Sequence, residues 1–173
     1  YIYQFHMAAF FLLSGYTADL RRKSIANIAY SRAKRLLLPY VTTFFLLLFV
    51  SVFLNKFGLY SIIFGMEMPD VGFTISEFFI KGRCYVWWLG AAWFLWVLFV
   101  ASIIAKLLHK LCGKMFLIPS IALYLLAYYL ISNGVKPARN VNLALIGQFF
   151  YCVGYFINDN QLIGKLDNSE KKY

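Results

Sequence analysis

The chain has 173 residues, of which 62% are hydrophobic, 20% aromatic and 14% charged, and its formal net charge is +10. Average soluble proteins are about 45–50% apolar, so a soluble domain of this length would not bury so much apolar surface. The composition therefore excludes an ordinary soluble domain and indicates a membrane protein. The positive charge does not indicate nucleic-acid binding, because the basic residues cluster in short connections between apolar runs.

A membrane-spanning helix needs about 20 mostly apolar residues. Five runs reach or approach that length, namely residues 1–20, 36–54, 87–105, 115–131 and 141–157. We therefore predict an all-α, polytopic transmembrane bundle with about five spans. It forms a single membrane domain over residues 1–173, and residues 158–173 form a cytoplasmic tail. Because the chain starts inside an apolar run, we expect it to be a fragment of a larger membrane domain.

The charges of the connections predict the orientation of the bundle. Residues 21–35 contain six Lys/Arg, and residues 106–114 contain three more together with His109. Lys/Arg excess marks the cytoplasmic side, so these two connections are predicted to be inside and the other two outside. His109 is expected to face solvent. Most loop carboxylates are solvated, and we expect the same of the acidic residues in the long outer loop: Glu67, Asp70 and Glu77.

The first cytoplasmic connection carries a second signal. Residues 24–35 form a basic amphipathic stretch that is predicted to lie as a helix along the inner surface. Pro39 then stands where the next spanning helix is predicted to begin, a position that tolerates proline. The three cysteines are far apart and lack metal-ligand spacing, so we expect them to be packing residues.

His6 is the sharpest candidate for chemistry, because ionisable side chains inside a membrane span are expensive and usually functional. It lies 15 residues before Arg21, which corresponds to roughly 22 Å along a helix. Histidine titrates near neutral pH and suits a general base that acts on an alcohol. The alternative is a neutral histidine that forms a hydrogen bond between helices.

Arg32 and Arg35 are three residues apart and share one face of a helix, with Lys34 nearby. Guanidinium groups arranged in this way can bind the phosphates of a nucleotide-like donor. The alternative is that these cations set the topology and contact lipid headgroups. Ser14 cannot pair with His6 inside one helix, because eight residues separate them by about 12 Å along the axis. Ser14 and Gly15 are therefore predicted to form a small-residue helix contact.

Four landmarks in this order resemble the acyltransferase-3 family of bacterial membrane O-acyltransferases, and most closely its fucose 4-O-acetylase-like branch. Residues 5–16 (F-H-M-A-A-F-F-L-L-S-G-Y) are similar to the family signature F-H-M-P-x-F-F-x-x-S-G-Y, with Ala8 in place of proline. Residues 32–40 (R-A-K-R-L-L-L-P-Y) resemble its R-x-x-R-L-L-x-P-Y segment. Residues 93–95 (W-F-L) and 154–156 (G-Y-F) resemble two later landmarks.

The resemblance implies a family member with about ten spans, of which this chain holds about half. In the family, a histidine on the first span is thought to be catalytic, and that span would precede Tyr1. His6 belongs to the second-span motif, so its implied role is to line the cavity. The implied reaction transfers an acetyl group from acetyl-CoA, as a donor substrate and not a permanent cofactor, to a hydroxyl of a sugar or cell-envelope polysaccharide precursor. Arg32, Arg35 and Lys34 would bind the CoA phosphates in the bacterial inner membrane.

Two other functional classes fit the same sequence. A helical bundle with a polar histidine would also suit a solute transporter, for which solute flux without acetyl-CoA would be diagnostic. A truncated remnant that inserts into the membrane without activity is the third reading. The order of the four landmarks favours the acyltransferase.

Overall fold

The computed structural model describes residues 2–21, 24–81, 93–135 and 140–160. Within these residues the secondary structure consists of helices and turns, without strands, which confirms the predicted all-α class. The eight α-helices are α1 (Ile2–Tyr16), α2 (Ile25–Arg32), α3 (Leu38–Lys56), α4 (Leu59–Phe64), α5 (Val71–Lys81), α6 (Trp93–Cys112), α7 (Leu117–Ser132) and α8 (Val141–Asp159).

Three helical stretches of the described residues are long and apolar enough to cross a membrane: Ile25–Lys56, Trp93–Met115 and Val141–Asp159. A shorter apolar helix of 16 residues, α7, precedes the last of them. Many large apolar side chains on α3 face outward, among them Phe49, which is 72% exposed. An exposed apolar surface of this kind suits contact with lipid, and the protein is a membrane helical bundle.

Helix α8 forms the centre of the bundle and packs most extensively against α1, α6 and α7. Glycines allow α1 and α8 to approach closely. A Cβ atom at Gly15 would lie 1.9 Å from the Tyr151 carbonyl oxygen, and one at Gly154 would lie 2.0 Å from the Leu12 carbonyl oxygen. The predicted small-residue contact near Ser14 is therefore confirmed at Gly15, as is usual for close helix pairs in membranes.

Helix α3 begins at Leu38 with Pro39 in its first turn, as predicted, and the helical stretch is continuous from Ile25 to Lys56. A π-helical segment, Ala33–Leu37, joins α2 to α3. Proline has no N–H to donate, and its ring clashes with the carbonyl group four residues earlier, which here belongs to Arg35. The wider π-helical turn relieves this conflict, and the amide of Leu38 donates to the Ala33 carbonyl. The helix therefore continues through the proline.

Helix α5 lies against α3, so part of the predicted outer loop is packed structure. The Phe78 ring stacks on Phe44 with 3.7 Å between the ring centroids and an angle of 10° between the rings. Tyr40 packs against the same ring at 4.8 Å. Glu77 is 5% exposed in this helix, so the expectation that it is solvated is wrong.

Two helix boundaries also differ from the prediction and shape the site described below. Helix α1 ends at Tyr16, four residues earlier than predicted, and residues 17–21 form a separate segment that we call the 17–21 segment. Helix α6 continues to Cys112, so Lys106 lies inside a helix and not in a connecting loop. The predicted start of this span at residue 87 lies outside the described residues, whereas α8 (Val141–Asp159) agrees closely with the predicted 141–157.

Candidate functional site

One end of the bundle brings together the connections that carry most of the predicted cytoplasmic charge. The Arg21 guanidinium donates to the Asp159 carboxylate, with 2.6 Å between Nη2 and Oδ2. The Asn158 side-chain amide donates to the Tyr16 carbonyl oxygen at 2.7 Å. These contacts hold the 17–21 segment against the end of α8. The structure therefore gathers the first connection and the start of the tail at one end, as the charge pattern predicted.

A cavity of about 330 Å³ opens beside the 17–21 segment, and we call it the arginine cavity. Its lining residues come from the 17–21 segment, the helical stretch 28–36 and α8: Thr17, Ala18, Asp19, Leu20, Ile28, Ser31, Arg32, Arg35, Leu36 and Tyr151. Two of the three predicted phosphate ligands, Arg32 and Arg35, thus share one cavity. Lys34 is exposed and does not line it.

The Arg32 side chain is held by a contact across the bundle. Its Nη2 atom donates to the hydroxyl oxygen of Tyr151 over 2.9 Å, and its guanidinium carbon lies 5.7 Å from the centre of the Tyr151 ring. Tyr151 is completely buried beside Gly15. A guanidinium group has five N–H donors, so Arg32 can bind Tyr151 and still offer donors to a ligand.

The π-helical segment contributes to the position of Arg35. Residues three apart on a regular α-helix share a face, which accounts for the pairing of Arg32 and Arg35 in the sequence. Here the widened turn Ala33–Leu37 includes Arg35 and leaves Arg32 in the preceding α-helix. Such insertions often mark functional sites in helices. Pro39 therefore has a direct effect on the backbone at Arg35.

Electrostatics in the arginine cavity favour an anionic ligand. The lining of the cavity includes two guanidinium groups, those of Arg32 and Arg35, and one carboxylate, that of Asp19. A fourth charge lies just behind the wall: Lys106 is 6% exposed, and its ammonium group donates to the carbonyl oxygen of Leu20. Cations at close quarters in a partly desolvated cavity attract anions more strongly than they would in water. Lys106 also fixes the backbone of the 17–21 segment, which forms one side of the cavity.

A second cavity, of about 520 Å³, includes Arg21 of the same segment in its lining, and we call it the lysine cavity. Its lining combines charged, amide and aromatic side chains around one glycine: Arg21, His109, Gly113, Lys114, Phe116, Phe156, Asp159 and Asn160. The nearby Asp159 carboxylate raises the pKa of Arg21 above its ordinary value.

His109 is partly buried, which corrects the expectation that it simply faces solvent. Its ring packs edge-on against Tyr155, with 5.3 Å between the centroids, and lies 5.6 Å from Phe116. These contacts fix the imidazole as part of the wall of the lysine cavity. No local sequence signal indicated this, because both partners lie on other helical elements.

His6 does not line the arginine cavity, the lysine cavity or a third cavity of the described residues. It is exposed on α1, next to Met7, which lines a third and largely apolar cavity of about 620 Å³ between α1, α6, α7 and α8. The predicted role of His6 beside the substrate therefore stays a prediction. Among the described residues, no cluster of three or more His, Cys, Asp or Glu side chains could hold a metal ion.

Comparison with known families decides the class of this protein. The family model described as an acyltransferase domain, that of the acyltransferase-3 family, matches residues 1–171. The chain belongs to the acyltransferase-3 family. Neither the comparison with curated proteins nor the comparison with solved structures gave a match.

The protein is thus a membrane acyltransferase, and its arginine cavity is the candidate for part of the active site. Sequence reasoning found Arg32 and Arg35 through their spacing. It missed Tyr151 and Lys106, because each acts through a partner that is distant in the chain, Arg32 and Leu20 respectively. It also missed the lysine cavity of this acyltransferase, whose residues come from three separate parts of the sequence.

Proposed function

We propose that this membrane acyltransferase transfers an acetyl group from acetyl-CoA to a hydroxyl group of a sugar or cell-envelope polysaccharide precursor in the bacterial cytoplasmic membrane. The observation that supports the donor is the presence of Arg32 and Arg35 in one cavity at the end of the bundle that carries the predicted cytoplasmic connections. Coenzyme A is soluble, and its phosphates match the forked donors of guanidinium groups.

In the proposed binding mode, Arg32 and Arg35 bind the pyrophosphate of CoA. The hydrogen bond from Arg32 to the Tyr151 hydroxyl keeps one guanidinium oriented before the donor arrives. A side chain that is already ordered loses less conformational entropy on binding, so preorganisation increases affinity. The Asp19 carboxylate also lines this cavity and repels phosphate groups placed beside it. It thereby restricts the orientations in which the donor can bind.

The chemistry is attack by the acceptor hydroxyl oxygen on the thioester carbonyl carbon. The electron pair of the carbonyl double bond moves to oxygen, and its return breaks the C–S bond and releases CoA. The hydroxyl proton passes to a general base and then to the departing sulfur. Following the family resemblance, we assign the base to the first-span histidine of the family and give His6 a place beside the acceptor. The tetrahedral intermediate requires hydrogen-bond donors near its oxyanion.

The decisive experiment measures saturable binding of labelled acetyl-CoA to the protein in membranes. We compare the wild type with Arg35→Ala and with Lys34→Ala, the neighbouring cation that lies outside the cavity. Because hydrogen bonds to charged groups contribute about 1.5–3 kcal/mol, Arg35→Ala should weaken binding by about tenfold or more. Lys56→Ala, at the far end of α3, is the matched control for the loss of one positive charge.

Absence of saturable binding by a well-inserted wild type would overturn the donor assignment. Equal losses of affinity in the Arg35→Ala, Lys34→Ala and Lys56→Ala variants would show a nonspecific effect of net charge. Transfer of labelled acetyl groups to a panel of sugars and envelope glycans then identifies the acceptor. Uptake of the same sugars into vesicles without acetyl-CoA would instead favour transport.

A further inference from the structure

The lysine cavity has the chemical composition of a nucleotide site. Phe156 and His109 present partly exposed rings to it, and Asp159 and Asn160 bring groups that can pair with the polar edge of a base. Base–aromatic stacking and a few placed polar groups are the usual means of binding a nucleobase. Lys114 adds a cation that suits a phosphate.

Lys114 and Arg21 are both cations in the lining of this cavity, but they differ in whether their charge is compensated by a carboxylate. Arg21 already forms an ion pair with Asp159 at 2.6 Å. Lys114 has no ion pair within the part of the chain that the structure describes, and its side chain is exposed at the cavity. An anionic ligand would therefore meet Lys114 as the uncompensated cation, while the Arg21–Asp159 pair contributes little net charge.

The linings of the lysine cavity and the arginine cavity include neighbouring residues of one short backbone segment. Leu20 lines the arginine cavity, and the next residue, Arg21, lines the lysine cavity. The two cavities therefore share this segment as part of their lining. Lys106 donates to the Leu20 carbonyl oxygen from within the bundle and thereby fixes the segment. A ligand that reaches both cavities must be long and must carry anionic groups at two points.

An acyl-CoA has this form, because its 3′-phosphorylated adenosine is joined through a pyrophosphate to the arm that ends in the thioester. We propose that the lysine cavity is the subsite for the adenosine 3′-phosphate of the donor, and that the Lys114 ammonium binds the 3′-phosphate. This inference rests on the proposed function, in which Arg32 and Arg35 bind the pyrophosphate of the same molecule. It adds a second binding subsite that determines preference for CoA over smaller thioesters.

The test uses three competitors against labelled acetyl-CoA on the full chain in proteoliposomes: CoA, 3′-dephospho-CoA and pantetheine. The wild type should bind 3′-dephospho-CoA about tenfold more weakly than CoA, since a charge-assisted phosphate contact contributes about 1.5–3 kcal/mol. Lys114→Ala should bind CoA as weakly as 3′-dephospho-CoA and leave the affinity for 3′-dephospho-CoA unchanged. Arg35→Ala should weaken both by the same factor, because both ligands carry the pyrophosphate.

Two further variants control this measurement. Lys114→Arg keeps the cation and should keep the preference for CoA. Lys110→Ala removes an exposed cation of α6 that does not line the cavity, and it should behave like the wild type. If Lys114→Ala is poorly folded, the wild-type preference and the Lys114→Arg variant still decide the question.

The outcomes separate this inference from the proposed function. Equal binding of CoA and 3′-dephospho-CoA by the wild type overturns the subsite and leaves the donor assignment intact. No saturable binding of acetyl-CoA by the wild type overturns both. If the effect of Lys114→Ala appears with phosphatidylglycerol in the vesicles and is the same for both nucleotides, the phosphate belongs to a lipid headgroup and the nucleotide subsite is wrong.

Discussion

The ammonium group of Lys106 donates to the carbonyl oxygen of Leu20, 86 residues earlier in the chain, and both residues are buried. This contact ties α6 to the 17–21 segment, which contributes residues to the lining of two cavities. A lysine at this position therefore governs the position of residues that it does not neighbour in the sequence.

Replacing Lys106 should lower the local stability of the 17–21 segment more than it lowers the stability of the whole bundle. Lys106→Met removes the buried charge, retains an apolar side chain and leaves the Leu20 carbonyl oxygen without this donor. The hydrogen bond from a charged donor contributes about 1.5–3 kcal/mol locally, so amide hydrogen exchange in residues 17–21 should accelerate by about tenfold or more. Hydrogen-exchange mass spectrometry together with Tm checks this. Lys110→Met is the control, and a similar loss of protection in both variants would contradict the assignment.

Tyr151→Phe should raise the KM for the acyl donor by about tenfold and change kcat little. The substitution keeps the buried ring and removes the acceptor of the Arg32 hydrogen bond at 2.9 Å, so Arg32 must be ordered when the donor binds. The estimate follows from about 1.5 kcal/mol for a hydrogen bond to a charged group. Steady-state kinetics with acetyl-CoA measure it. Tyr124→Phe serves as the control, because it removes a hydroxyl from a ring that packs on Phe149. An unchanged KM in Tyr151→Phe would show that Arg32 needs no orienting partner.

Gly154→Ala should strongly destabilise the bundle. The added Cβ would lie 2.0 Å from the Leu12 carbonyl oxygen, and the obstructing atoms belong to backbone, so α1 and α8 must move apart. Overpacking of this kind costs about 1–3 kcal/mol or more. Thermal unfolding in detergent measures the loss. Gly72→Ala is the matched control, because its Cβ would meet the side chain of Asp70 at 3.1 Å in α5; equal Tm values for the two variants would contradict the close contact.

The buried pair Ser120 and Gln148 should act as a unit between α7 and α8. The serine hydroxyl donates to Oε1 of Gln148 at 3.0 Å, and Nε2 of Gln148 donates to the Ser120 carbonyl oxygen at 2.9 Å. Gln148→Leu leaves a buried hydroxyl without its acceptor, at a cost of about 1–3 kcal/mol. The double variant Gln148→Leu/Ser120→Ala should be less destabilised than the sum of the single variants. Additive effects in unfolding experiments would contradict the coupling.

Features that depend on local pattern were predictable from the sequence. The apolar run that forms α8 was placed within two residues of its observed end, and the spacing of Arg32 and Arg35 predicted that their side chains lie together, as they do in the lining of one cavity. The fold class follows from the length of the apolar runs. These predictions succeed because helix formation and the sharing of a helix face are properties of neighbouring residues.

The errors occur where a distant partner changes the environment of a residue. Lys106 reads as a loop residue in the sequence, but the Leu20 carbonyl makes its burial favourable. Glu77 was expected in solvent, whereas α5 packs against α3 through Phe78 and Phe44. Pro39 lies in the first turn of α3, as expected, but the π-helical turn that joins this helix to α2 was not predicted.

The π-helical segment Ala33–Leu37 also sets the rotation of α3 about its own axis. Each residue advances an α-helix by about 100°, since one turn takes 3.6 residues. A π-helical turn holds about one residue more than an α-helical turn, so winding the same five residues as a regular α-helix would rotate all of α3 by roughly that angle relative to Arg32. Phe44 would then point away from Phe78, and the aromatic stack between α3 and α5 would be lost. The winding of this segment, as much as residue identity, thus determines which side of this helix meets protein and which side meets lipid.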